Sequence, residues 1–149
     1  MFASFRKAKA QKAVLYAVRP LIAVATIRGP LSAGALLDPY FLGFIGLVST
    51  FHCNQATGKL DHVGDAIEAV LKELSGRVEH RLLIQTFMHY ATTKHPDYMR
   101  GQNDADELCG FTYGLRKAPS GEIVVVAPDD SAAQNLLQTK FLKALEQYR

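Results

Sequence analysis

Apolar residues recur every three to four positions along most of the chain, and that period predicts helices. The first is expected from Ala8 to Ile27, with Val14, Leu15, Val18, Leu21, Ile22 and Ala25 on one face. Pro20 lies inside it and lacks an amide donor. The apolar stripe continues past Pro20, so a kink is expected rather than a break. Arg28-Gly29-Pro30 stops this helix, and residues 29–37 read as a loop of small residues.

A second helix has the clearest start signal. Asp38 can accept from the orphan amides of a first turn, and Pro39 fits the first helical position with its preset φ. The helix reads Tyr40-Phe41-Leu42-Gly43-Phe44-Ile45-Gly46-Leu47-Val48 and ends near Thr57, before Gly58. It is apolar nearly all round, which predicts enclosure by protein. Any side of this helix that a six-helix domain leaves uncovered would favour assembly. Gly43 and Gly46 each cost about 1 kcal/mol against Ala in a helix, so a close backbone neighbour is expected as compensation.

A third helix is expected from Asp61 or His62 to Ser75. Val63, Ala66, Ile67, Val70, Leu71 and Leu74 form its stripe, and Gly76 stands where a left-handed cap belongs. A fourth is expected from Arg77 to Lys94, closed by His95-Pro96, because the residue before Pro avoids the α region.

Residues 97–127 support two readings. Asn103 with Asp104, Asp106 and Glu107 resembles a capped helix start, and Leu108, Phe111 and Leu115 continue at helical spacing over 103–116. Against this, Phe111, Tyr113 and Leu115 also alternate, and Ala118-Pro119-Ser120-Gly121 suits a turn. Glu122-Ile123-Val124-Val125-Val126 is strongly β-prone. The helix is preferred for 103–116, with the Ile-Val-Val-Val run as an extended piece needing a partner in this chain or another copy. A last helix, capped by Asp129 or Asp130, is expected from Asp130 to Tyr148. The fold class expected is mainly α: a compact single-domain bundle of five or six helices over 1–149, with a short strand or hairpin around 110–127.

Composition adds exclusions. The chain has 149 residues, 48% hydrophobic and 21% charged, which fits one globular domain and not a disordered chain. Its two cysteines, Cys53 and Cys109, cannot complete a four-thiolate zinc site. The most apolar run, Pro39 to Phe51, is too short to cross a bilayer. The basic start and Ala23-Val24-Ala25 resemble a secretory signal, but Arg19-Pro20 interrupts the apolar stretch. A cytoplasmic setting with reduced thiols is therefore expected.

Charge is uneven. Arg6, Lys7, Lys9, Lys12, Arg19 and Arg28 precede the first acid, Asp38, whereas the rest of the chain carries the other 11 of the 17 bases and all 14 acids. The basic opening at 1–12 reads as an arm. It would meet an acidic partner, a second copy, or an anionic surface such as nucleic acid or membrane through Arg6, Lys7, Lys9 and Lys12. Phe2 and Phe5 beside these bases would either lie at a membrane interface or cap the core of the bundle or a dimer.

Catalytic and metal signals are weak. His89 and His95 are six apart and do not stack on one helical face. Adjacent His52 and Cys53 point about 100° apart on a helix. Cys109 follows an acidic stretch that would raise its pKa. No phosphate-cradling loop or nucleophile elbow occurs. No metal or cofactor is expected. The sequence therefore favours a non-enzymatic helical module that self-associates or docks on a protein partner. Anionic-surface binding through the arm is the alternative. A small enzyme or metal protein using His89, His95 or Cys109 is the second alternative.

Overall fold

The computed structural model describes residues 2–76 and 78–148, without the side chains of Phe2 and Ala3. The fold is mainly α, 74% helical, with one small antiparallel hairpin. The helices are α1 (Phe2–Ala25), α2 (Ala33–Leu36), α3 (Pro39–Thr57), α4 (Val63–Leu74), α5 (His80–Thr93), α6 (Pro96–Tyr113), α7 (Asp130–Leu136) and α8 (Leu142–Glu146). The strands are β1 (Leu115–Lys117) and β2 (Ile123–Val125).

Helix α3 is the hub. It starts as expected: the Asp38 carboxylate accepts from the Phe41 N–H, and Pro39 opens the first turn. It ends on left-handed Gly58. Tyr40, Phe41, Leu42, Phe44, Ile45 and Val48 are all buried, so the chain itself covers this apolar stretch. Its main neighbours are α6 and α1, with α4 and α5 behind them.

The α3–α6 contact runs backbone on backbone. A Cβ on Gly43 would meet the Tyr98 carbonyl, and one on Gly101 would meet the Tyr40 carbonyl and the Phe44 amide nitrogen. The expected close neighbour of Gly43 is thus α6. Gly46 instead accommodates the Phe87 ring from α5.

Several boundaries depart from expectation. Helix α1 begins at Phe2, not Ala8, so the basic residues belong to its opening turns; it continues through Pro20. Residues 33–36 form a helical turn capped by Ser32 inside the expected loop. Gly76 is not left-handed; Ser75, in an extended conformation, is the C-cap of α4. Helix α5 starts at His80 rather than Arg77, which lies outside the described residues.

Helix α6 starts at Pro96, seven residues before Asn103. His95-Pro96 ends one helix and opens the next: the His95 Nδ1 accepts from the Asp97 N–H, and Pro96 occupies the first turn. Asp104, Asp106 and Glu107 therefore lie within α6, where Asp104 accepts from the Tyr40 hydroxyl and, with Glu107, pairs with Lys140.

Both readings of 97–127 hold in part. The helix ends at Tyr113 on left-handed Gly114, and Leu115 enters the hairpin instead of continuing the helix. The Ile-Val-Val run thus finds its partner in this chain.

The last helix is interrupted. Leu137–Phe141 is a π-helical turn between α7 and α8. Leu136 and Phe141, five apart, are both buried, a spacing the α-helical period does not supply. Phe141 then packs on Phe44, ring centres 4.6 Å apart.

Candidate functional site

A groove runs along one flank of α1, against the end of α3, the end of α6 and the start of the C-terminal run. It has two lobes of about 490 and 480 Å³ that meet at Tyr16 and His52. The first lobe lies between Lys9, Lys12 and Ala13 of α1 and Gln55 and Ala56 of α3. The second is floored by apolar side chains that include Leu21, Val48, Leu108 and Leu137, with Asp130 and Gln134 among its polar groups. The π-helical turn begins at Leu137, a residue of this wall. Pro20 also lines the second lobe.

Helical spacing builds the α1 side. Phe5, Lys9, Lys12 and Tyr16 follow one another at steps of four, three and four, and so share one face. The core-facing stripe of the same helix is Ala10, Val14, Val18, Leu21 and Ala25. Tyr16 is 82% exposed and Phe5 69% exposed. Phe5 therefore does not cap the core; the side chain of Phe2 lies outside the described residues.

The four bases of the opening have different surroundings. Lys7 approaches Asp65 of α4 at 3.8 Å. Lys9 and Lys12 line the groove, and among the described residues they and Arg6 form no ion pair.

His52 stands at the waist of the groove. Its Nδ1 lies 2.8 Å from the Val48 carbonyl, which can only accept, so Nδ1 carries the proton. Its Nε2, 2.6 Å from the Tyr113 hydroxyl, accepts from that O–H in the neutral ring. Burial lowers the His52 pKa and raises that of Tyr113. Phe51 packs on both rings, stacked on Tyr113 with ring centres 5.4 Å apart and edge-on to His52 at 5.3 Å.

Of His89, His95 and Cys109, Cys109 alone lines this groove. It is buried at 3% exposure, and its thiol is pushed up to about 12 by burial and the nearby Asp106 charge. A thiol so placed holds almost no thiolate near neutrality. His89 and His95 lie elsewhere, each against the Tyr90 ring, at 6.0 and 5.1 Å between ring centres. Among the described residues no group of three or more His, Cys, Asp or Glu could hold a metal ion. Among them, too, no helix is long and apolar enough to cross a membrane.

No family model, no curated protein and no solved structure matches the chain.

Proposed function

We propose that the chain is a non-enzymatic helical binding module whose α1 groove receives an amphipathic helix of a partner protein, acidic on the side that meets Lys9 and Lys12. The observation that carries this is the pairing of exposed Tyr16 with two unpaired lysines along an apolar groove. Aromatic side chains beside an apolar floor are the usual anchors of protein contacts.

Shape favours a helix as occupant. From Lys9 to Leu21 the wall spans about 18 Å, room for some three turns of a second helix. Charge sets direction. Lys9 and Lys12 flank the first lobe, while Asp130 lies in the second. A partner acidic at one end and neutral or basic at the other would therefore enter one way round. A non-enzymatic role is supported by the Cys109 thiol, which burial and the Asp106 charge keep protonated near neutrality.

The test uses two designed 18-residue Leu/Ala amphipathic peptides, one carrying Glu and one Lys along the flank of its apolar face. Titration by NMR should show the Glu peptide perturbing Tyr16 and His52, with binding at least tenfold tighter than for the Lys peptide. Tyr16→Ala, and Lys9→Gln with Lys12→Gln, should each weaken it at least tenfold. Absence of Glu-peptide binding overturns the reading. So does binding of phosphatidylserine vesicles or duplex DNA without peptide binding, which would assign Arg6, Lys7, Lys9 and Lys12 to an anionic surface instead.

A further inference from the structure

The hairpin offers a second, separate surface. Its loop is Pro119-Ser120-Gly121: the Gly121 N–H donates to the Ala118 carbonyl at 2.8 Å, and Gly121 is left-handed at φ +87. This is the three-residue connection expected for a hairpin. The strand base is fixed to α6, because the Val126 N–H donates to the Gly114 carbonyl at 2.7 Å and the Asp129 N–H to that of Phe111 at 2.9 Å.

Backbone polarity alternates along β2. The Ala118 N–H donates to the Glu122 carbonyl, and Val124 stands opposite Arg116. Glu122, Val124 and Val126 thus turn their backbone groups toward β1. Ile123 and Val125 turn theirs to the outer edge. Their side chains are 68% and 84% exposed. Natural edges are protected by shortness, by charged side chains, by Pro or by a bulge, and β2 has only the first of these. From Ile123 to Ala127 this edge has no charge and no proline.

We infer that the outer edge of β2 pairs antiparallel with the same edge of a second copy, making a four-stranded sheet about a twofold axis. The edge complements itself. With Val124 on the axis, Ile123 faces Val125 of the partner subunit and exchanges two backbone hydrogen bonds with it, and the symmetric pair adds two more. Charge selects the direction: parallel pairing would set two Glu122 carboxylates side by side, whereas antiparallel pairing sets Glu122 beside Val126 of the partner subunit. Three-residue strands bury only a few hundred Å², well below the roughly 1,200 Å² of a lasting interface, so this dimer forms and dissociates with concentration.

Sedimentation equilibrium of the full chain from about 10 µM to 1 mM tests this. The average mass should climb from 16.4 kDa toward twice that value. Nuclear Overhauser contacts between Ile123 and Val125 should appear in a mixture of labelled and unlabelled chains. Val125→Lys should weaken association at least tenfold, and Val125→Thr less. Ile27→Lys, at an equally exposed site on the α1 side of the fold, should leave association unchanged, and binding of the acidic peptide should survive Val125→Lys. A monomer at 1 mM overturns the inference, as does a dimer indifferent to Val125→Lys.

Discussion

His52 and Tyr113 meet at 2.6 Å across 61 positions of sequence, joining the end of α3 to the end of α6 at the waist of the groove. The contact is made by a neutral ring in a partly dry wall, and burial holds the His52 pKa below its ordinary 6.5. The unfolded chain therefore takes up this proton before the folded one does. Stability is greatest above about pH 6.5 and falls as pH drops from there through the folded midpoint. The urea midpoint should decrease between about pH 7.5 and pH 5, and His52→Gln should flatten that dependence. An NMR titration of the imidazole should find a midpoint under 6.5. A midpoint above it would contradict the assignment.

The α3–α6 crossing gives a second expectation. The atoms facing Gly43 and Gly101 are backbone, which cannot swing aside as a side chain can. Gly43→Ala and Gly101→Ala should each destabilise by about 1–3 kcal/mol or more. In a chain of this size that lowers Tm by roughly 2–4 °C per kcal/mol. Gly64, on α4, has open space where a Cβ would go. Gly64→Ala should stabilise by about 0.4–1 kcal/mol through the unfolded state. Thermal melts of the three variants separate crowding from helix propensity: equal effects would deny the backbone contact.

What the sequence made legible was local. Asp38-Pro39 announced α3, Gly58 its end and His95-Pro96 a boundary, because each signal acts within a turn of its own position. The same locality explains the misses. Pro96 could start a helix as well as stop one, and the acids after Asn103 gave a second plausible start; only packing against α3 extends α6 back to Pro96. Gly101 was not marked as the partner of Gly43, since their meeting depends on the register of two helices. Nothing near Leu137 announces the π-helical turn, which satisfies the burial of Leu136 and Phe141 together. The groove was half visible. Lys9, Lys12 and Cys109 stood out by type, but their gathering with His52 and Tyr113 is tertiary.

Tyr148 is held to the start of α3 by one carboxylate, that of Asp38. Asp38 is 6% exposed. One oxygen accepts from the Phe41 N–H at 2.9 Å and the other from the Tyr148 hydroxyl at 2.5 Å. Burial, then the hydrogen bond to Asp38, drives the Tyr148 pKa upward, so the phenol stays protonated as a donor across the physiological range. Tyr148→Phe removes a hydrogen bond to a charged acceptor and should cost about 1.5–3 kcal/mol. Asp38→Ala loses the cap as well, worth a further ~0.5–2 kcal/mol. Since the two changes delete the same contact, the double variant should be less destabilised than the sum of the singles, with a coupling of at least about 1 kcal/mol. Urea denaturation of the four proteins measures that coupling. A value near zero would mean that the end of the chain and the head of α3 are stabilised independently.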